Sequence, residues 1–500
     1  MGILDAAGAA LTRIRTLLAF VFAAGCAFAH VGTSDVYVDG SAGPYSLFVT
    51  VRPPNVIPGV ADVLIRTTDP DVTAIRIAPT PLTGAGADHP PTPDVMQRSQ
   101  QDPKFFTGNL WIMATGSWRV RAEVEGARGK GVFSIPVPAV ATKVTTMTSG
   151  MGIGLFAMMI VLIAGIVSIA GAGVRESQLE PGQEPPPANR SKGRIVMGIT
   201  AVLVVALVYF GNTWWTAEAK AYSNNISRPL NAAVKVDGSQ LTISLTNTVT
   251  ATRRRFDDFM AERQVDDFMP DHGHLMHLYV IRWPGMDRVW HLHPEMTGSG
   301  VFTQNLPDMP AGQYRLYGDV VHSSGFPETV VGAIYTPGIT GGPLLGDDAA
   351  GSGPGVTQGP ADTTTAELGD GWKMVWDRGA GRLQLNQATQ FQFHIEDANG
   401  KRASDLEMYM GMPGHAAFVK TDGTVFAHVH PSGSAAMPAL ALANPTDNPH
   451  ANMPGMNMAM DGMTSVSFPW GFPAAGEYRI IVQLKRAGKV QTGMFNAKVE

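Results

Sequence analysis

His415, His428 and His430 are the first residues whose types and spacing promise chemistry. Asp422-Gly423 is a strong two-residue hairpin signal. A turn there sets Thr421 opposite Thr424, and counting back pairs Ala417 with His428 and His415 with His430. Side chains alternate with period two along a strand, so the three imidazoles project from one face. Directly opposed Cβ atoms lie about 4.5–5.5 Å apart, close enough for the rings to share an ion. Three imidazoles suit zinc or copper and are poor ligands for magnesium or calcium.

The arrangement occurs twice. Gly273-His274 leads into an apolar strand, a turn and His291-Leu292-His293-Pro294, as Gly414-His415 leads to His428-Val429-His430-Pro431. Downstream, Pro310-Ala311-Gly312-Gln313-Tyr314-Arg315 answers Pro473-Ala474-Ala475-Gly476-Glu477-Tyr478-Arg479. The repeat is the strongest internal feature of the chain. The same counting, around Trp283-Pro284-Gly285, pairs His274 with His293, puts His291 on their face and leaves His277 on the other. His272 and His322 are reserve candidates, and Arg486 stands where the second copy would carry His322. His394 alternates with Phe391, Phe393 and Ile395 and is expected to face solvent, while His89 and His450 lie in Pro-rich loops. A lone histidine is better read as hydrogen-bonded to backbone in a turn. Two copies of a three-histidine face favour a metal.

Copper is the first choice of ion and zinc the second. The chain has 25 methionines, among them Met453, Met456, Met458, Met460 and Met463, set among Pro, Gly, Asn and Asp with no hydrophobic partners at helix or strand spacing. Thioethers are soft ligands that select Cu(I) over zinc. The bland alternative is an adaptable apolar filler. Met408, Met410 and Met412 run up to His415 and could add a thioether there, although as core residues they would need no such role. The single cysteine, Cys26, lies in an N-terminal apolar segment. Its isolation excludes intrachain disulfides, thiolate zinc sites, iron–sulfur clusters, a cysteine nucleophile in the folded part and a blue-copper centre. No paired carboxylates, Ser–His–Asp order or nucleotide loop supports other chemistry. The net charge of −5 offers no basic field for nucleic acid.

These faces need strands to carry them, and the composition provides for strands. At 500 residues the chain is long enough for about three domains. Its 56 glycines and 36 prolines favour turn-rich β architecture over helical bundles. Only 16% of residues are charged and 44% are hydrophobic, which suggests a chain partly embedded in lipid. The expected fold is therefore all-β extracytoplasmic domains, Ig-like or cupredoxin-like β-sandwiches, with two transmembrane helices and an N-terminal signal peptide.

Arg13 and Arg15 precede an apolar run and Ala27-Phe28-Ala29, the pattern of a secretory signal over residues 1–29. Cleavage there exposes His30 as the first residue; lipidation at Cys26 or an uncleaved anchor are the alternatives. Residues 30–145 form a first β-sandwich, with 118–124 alternating apolar and charged. Residues 150–174 and 195–215 are long enough to cross a bilayer. The loop 175–194 carries Arg175, Arg190, Lys192 and Arg194, a cytoplasmic signal. A second sandwich, with the first histidine repeat, spans 220–337. A flexible linker is expected over 338–363, then a third sandwich over 364–500 with the second repeat and the methionine-rich loop. The address implied is the cytoplasmic membrane of a bacterium, multi-pass, with the large domains on the periplasmic side.

The run Met410-Gly411-Met412-Pro413-Gly414-His415 and the Gly-x-Tyr-Arg strand resemble YtkA-like and FixH-like periplasmic β-sandwich modules. The tract from Thr107-Gly108-Asn109-Leu110-Trp111 to Val124 is similar to that group as well. The resemblance covers about half the chain and implies copper handling and oxidase assembly. A histidine exposed after Ala-x-Ala also resembles CopC-like and YcnI-like proteins, which implies Cu(II) at His30; His89 is the only other histidine before the first span.

The leading expectation is a membrane-anchored copper-binding protein for tolerance or for delivery to a periplasmic cuproenzyme or copper transporter. A copper-dependent oxidase using a histidine brace at His30 is the enzymatic alternative. A metal-free scaffold in a membrane complex is the third.

Overall fold

The computed structural model describes residues 35–180, 182–224, 226–249, 263–357, 360–445 and 462–500. The signal segment, Cys26, His30, His450, Met453, Met456, Met458 and Met460 lie outside the described residues. The chain divides into two compact units, residues 141–226 and the remainder.

The smaller unit is a pair of helices, Ser149–Arg175 and Pro187–Asn224, both long and apolar enough to cross a membrane. The second helix is longer than the expected span because it takes in Arg190, Lys192 and Arg194 before its apolar stretch and continues to Asn224 after it. The helices meet at Gly171 and Gly193, where a Cβ on Gly171 would fall 2.3 Å from Met197 Cγ. Small residues at such a crossing let two backbones approach closely.

The larger unit is built of antiparallel sheets in three sandwich-like layers. The first pairs a five-stranded sheet with a four-stranded one over residues 36–139. Its core is the inward half of each alternating strand, including Val49, Val63, Ile75, Val120 and Phe133. The second and third layers repeat one another. In the second, His277–Trp283 lies between Arg288–Leu292 and Gly312–His322, which pairs with Pro327–Thr336. In the third, His415–Lys420 lies between Phe426–Val429 and Gly476–Arg486, which pairs with Lys489–Val499.

Both central strands are apolar on both faces. Leu278 and Val280 enter the second layer's own core, and Ala416 and Phe418 the third's. The alternate residues Tyr279, Ile281, Ala417 and Val419 join Tyr317, Phe426, Ile481 and Met494 in a separate cluster between the two layers. Tyr317 stacks on Phe426 at 4.5 Å. Arg479, buried in that interface, donates to Met286 O at 3.0 Å and Asn496 Oδ1 at 2.7 Å. The two repeats are therefore pressed face to face.

Three expectations need correction. Part of the stretch 338–363 does not behave as a linker: Ala349–Ser352 adds an edge strand beside Arg288–Leu292, and Gly353 N donates to Asp287 O. His394 does not face solvent; it is buried, with Nδ1 3.0 Å from Asp377 and Nε2 3.0 Å from Glu396. The two repeats align through Gly273 and Gly411, not Gly273 and Gly414. Asp271–His274 and Tyr409–Met412 are matching tight turns, with left-handed backbone at His272 and Met410 (φ 50° and 52°). His277 is thus the counterpart of His415.

His322, one of the two reserve candidates, is held between two carboxylates. Its Nδ1 lies 2.7 Å from Asp267 and its Nε2 3.1 Å from Glu328, which also pairs with buried Arg263. Burial pushes the imidazole down, but hydrogen bonds to Glu328 and Asp267 outweigh it and raise the pKa. The stabilisation is fully present below the unfolded value of about 6.5 and is lost as pH rises through the raised folded value. His322→Gln is expected to cost roughly 3 kcal/mol in denaturant unfolding at pH 6, less at pH 9. An equal cost at both pH values would show that the imidazole is neutral.

Candidate metal centre

Eight histidines of the second and third layers converge at one end of their interface. The strand register decides which. Tyr279 opposes His291, so by continuation His277 opposes His293 and shares a face with His291. The expected pairing of His274 with His293 is wrong by three residues, because the tight turn at Asp271–His274 takes His274 off the strand. In the third layer Ala417 opposes His428, as the hairpin count requires.

The two sets match closely. Ring centroids of His277, His291 and His293 are 5.4, 5.0 and 4.7 Å apart in the order 277–291, 277–293 and 291–293. The corresponding separations for His415, His428 and His430 are 5.4, 5.0 and 4.7 Å. The sets also meet one another: His277 is 5.3 Å from His428, and His291 is 5.6 Å from it. Nitrogens of His277, His291 and His428 lie within 4.8 Å of one another, as do those of His415, His428 and His430. His274 stacks on His293 at 4.1 Å, while His272 crosses to the third layer, 4.9 Å from His430 and 5.3 Å from His415. Two separate three-histidine sites were expected; there is one merged cluster.

Outer partners orient these rings. His277 Nε2 donates to the Asp271 carbonyl at 3.0 Å, and His415 Nε2 donates to the Tyr409 carbonyl at 3.2 Å. A carbonyl can only accept, so in each neutral ring Nδ1 carries the lone pair. His291 Nδ1 donates to Gln483 Oε1 of the other layer at 2.8 Å, leaving Nε2 as the lone-pair nitrogen. In reciprocal fashion, His428 Nδ1 lies 3.5 Å from Asp319 Oδ2 of the second layer. His293 Nδ1 donates to Asp348 at 3.0 Å, and its Nε2 is buried without a hydrogen-bond partner.

The consequence is unusual. His277 Nδ1 and His291 Nε2 lie 3.2 Å apart, and so do His415 Nδ1 and His428 Nε2. In the second pair the His415 lone pair faces His428 Nε2, whose proton no outer hydrogen bond fixes; in the first, lone pair is turned toward lone pair in a buried site. Only a cation between or beside them, a proton or a metal ion, relieves that opposition. Two nitrogens at that spacing, each about 2.0–2.1 Å from a common ion, subtend about 100–106°, close to a tetrahedral angle. A partner that fixes the outer N–H is also what metal-ligating histidines commonly have.

Protons compete poorly here. Burial pushes His277 down to about 3, with nearby His272 and His274 adding repulsion. Burial likewise holds His291, His293, His415, His428 and His430 well below the ordinary imidazole value. The cluster forms part of the floor of a pocket of about 150 Å³ bordered by all three layers, where Asp271 and Asp319 are pushed up to about 7 by burial.

The described methionines take other places. Met412 packs among Ala435, Met437 and Leu440 in the apolar cluster that continues into the first layer, and Met463 lies against the third layer's core. Met410 occupies the turn position that His272 holds in the other repeat. His277 was missed as a ligand candidate. The signal that finds it is the spacing from the turn glycine: Gly273 and Gly411 each stand four residues before the first strand histidine.

The profile of a family described as a domain of unknown function (DUF8832) matches residues 234–333 and 365–500, the two histidine-bearing repeats. No curated protein matches the chain. Among solved structures, it is similar to a Salmonella alpha-2-macroglobulin reacted with methylamine, at 10% identity and a TM-score of 0.18, over 94% of this chain and 24% of that one. It is also similar to latent PorU from Porphyromonas gingivalis, at 8% identity and a TM-score of 0.13, over 93% and 34%. A further likeness is to the D1–D4 ectodomain fragment of ICAM-5, at 7% and 0.14, over 89% and 74%. The chain spans about a quarter of the macroglobulin and a third of PorU; at these TM-scores none of the three informs the site.

The depressed imidazoles set a pH dependence opposite in sign to that of His322. Their folded pKa values lie below the unfolded 6.5, so the stabilisation is present above that pH and is lost as pH falls toward the folded values. Asp271 and Asp319 offset part of the effect. The clean measurement is therefore differential, on the metal-free chain. His293→Gln is expected to flatten the loss of unfolding free energy between pH 6.5 and 4 by about 1.4 kcal/mol per pH unit. An unchanged slope would mean that His293 is charged when buried.

Proposed function

We propose that the chain is a membrane-anchored extracytoplasmic copper-binding protein, holding copper in the cluster between its two histidine repeats for tolerance or for delivery to a cuproenzyme or transporter. One observation carries this reading: buried imidazole nitrogens paired at 3.2 Å in both repeats, lone pair to lone pair in the His277–His291 pair. A scaffold without metal would gain nothing from that opposition, since an unsatisfied buried polar group costs about 1–3 kcal/mol. Imidazole sets suit copper and zinc alike, and the methionine tract at 453–463 is what favours copper. The two apolar helices and the signal-like leader support anchoring, with both flanking portions outside and the basic loop inside.

Anaerobic titration of the full chain with Cu(I), against a chelator of known affinity, is the direct test. His428→Ala is expected to weaken binding more than any other single histidine change, because His428 belongs to both nitrogen triads. Gln483→Ala removes only the outer partner of His291 and is expected to weaken binding roughly 10–100-fold. No chelator-resistant copper in the unaltered chain would overturn the reading. For topology, a cysteine at Gln183 is expected to resist membrane-impermeant thiol reagents in intact cells, and one at Ser352 to react. Labelling at Gln183 alone would reverse the orientation.

A further inference from the structure

The cluster holds more donors than one ion can use, and they are arranged in duplicate. A zinc or copper ion in such a site takes about four ligands, whereas eight imidazoles converge here. The duplication is geometric as well as numerical. His277 Nδ1 with His291 Nε2, and His415 Nδ1 with His428 Nε2, offer the same 3.2 Å bite. His293 stands to the first pair as His430 stands to the second, at centroid separations of 5.0 and 4.7 Å in both. The outer partners are exchanged between layers, Gln483 serving His291 and Asp319 facing His428. Asp319 and Gln483 occupy equivalent register positions, opposite His277 and His415 respectively. The two sets are thus related by an approximate two-fold axis in the interface.

We propose that this interface is a two-ion centre, with one ion on the His277–His291 bite and a second on the His415–His428 bite. The proposal rests on the metal reading above and adds number and placement to it. His293 Nε2 is buried without a hydrogen-bond partner, and His430 has at most a backbone bond to Ala435, so each bite has a third imidazole nitrogen unspent. The second ion also has His272 beside it, contributed by the opposite layer. His428 lies within reach of both sets, which makes the ions neighbours across a shared imidazole. Each ion is held partly by groups from the other layer, so loading ties the two layers together.

Co(II) is the probe of choice, because it takes tetrahedral imidazole sites with a strong visible spectrum and has little affinity for the thioethers of residues 453–463. The metal-free full chain in detergent is titrated with Co(II) while the tetrahedral bands are followed. Two tetrahedral Co(II) per chain are expected. His277→Ala with His291→Ala should leave one, and His415→Ala with His430→Ala should also leave one. A single tetrahedral ion in the unaltered chain overturns the two-ion centre while leaving the metal reading intact, and that count needs no variant to fold. Loss of all tetrahedral Co(II) from either double variant, with the apo unfolding transition retained, likewise means one shared centre. No tetrahedral Co(II) in the unaltered chain overturns the two-ion centre, and the copper titration decides the metal reading separately.

Discussion

A neutral imidazole has one donor and one lone pair, and everything at this centre follows from where the donor is spent. The Asp271 and Tyr409 carbonyls take the Nε2 protons of His277 and His415, and the Gln483 amide oxygen takes the Nδ1 proton of His291. The lone pairs are then turned inward, toward neighbouring imidazoles. Such a site is unfavourable while empty of any cation, and it is maintained because the strands beneath are locked by two apolar cores and the interface between them. On the proposed reading, the affinity for a cation is a consequence of that rigidity.

The rigidity has an identifiable origin. Each central strand is apolar on both faces, one half serving its own layer and the other half the interface. The histidines sit at the end of the interface face, in line with Tyr279 and Ile281 in one repeat and with Ala417 and Val419 in the other. The turn after His430 anchors the cluster from a third side. Gly433 adopts φ 126° and passes so close to the first layer that a Cβ there would meet Tyr37 O at 1.9 Å. Asp39 N donates to Ser432 O and Ser434 N to Tyr37 O, which ties the first layer to the segment beside His430.

The remaining buried histidines show what the cluster is not. His322 and His394 each lie between two carboxylates and have both nitrogens occupied. They are hydrogen-bond partners of acids, with no nitrogen left for a metal. Burial alone therefore does not mark a ligand in this chain. The difference lies in whether the second nitrogen meets an acid or another imidazole.

Much of the third layer was legible from residues alone. Asp422-Gly423 pins a hairpin, and a hairpin with a known turn fixes register, so Ala417 opposite His428 follows from counting. The all-β character and the two apolar helices follow from composition, turn residues and apolar run length for similar reasons of local physics. The second layer was not legible in the same way, because the loop through Trp283 and Met286 has no single preferred turn, and a shift of three residues moved His277 to the wrong face. His322 could not be told from a ligand, nor His394 from a solvent-facing residue, since the acidic partners Asp267, Glu328 and Asp377 are brought in by other strands or loops. That the two repeats form one cluster was decided only by packing. Unbroken apolar runs in His277–Trp283 and His415–Lys420 signal that both faces are covered, but what covers them is a long-range fact. The chain's local pattern determined which residues could bind an ion; the face-to-face docking of two sheets decided that they would meet.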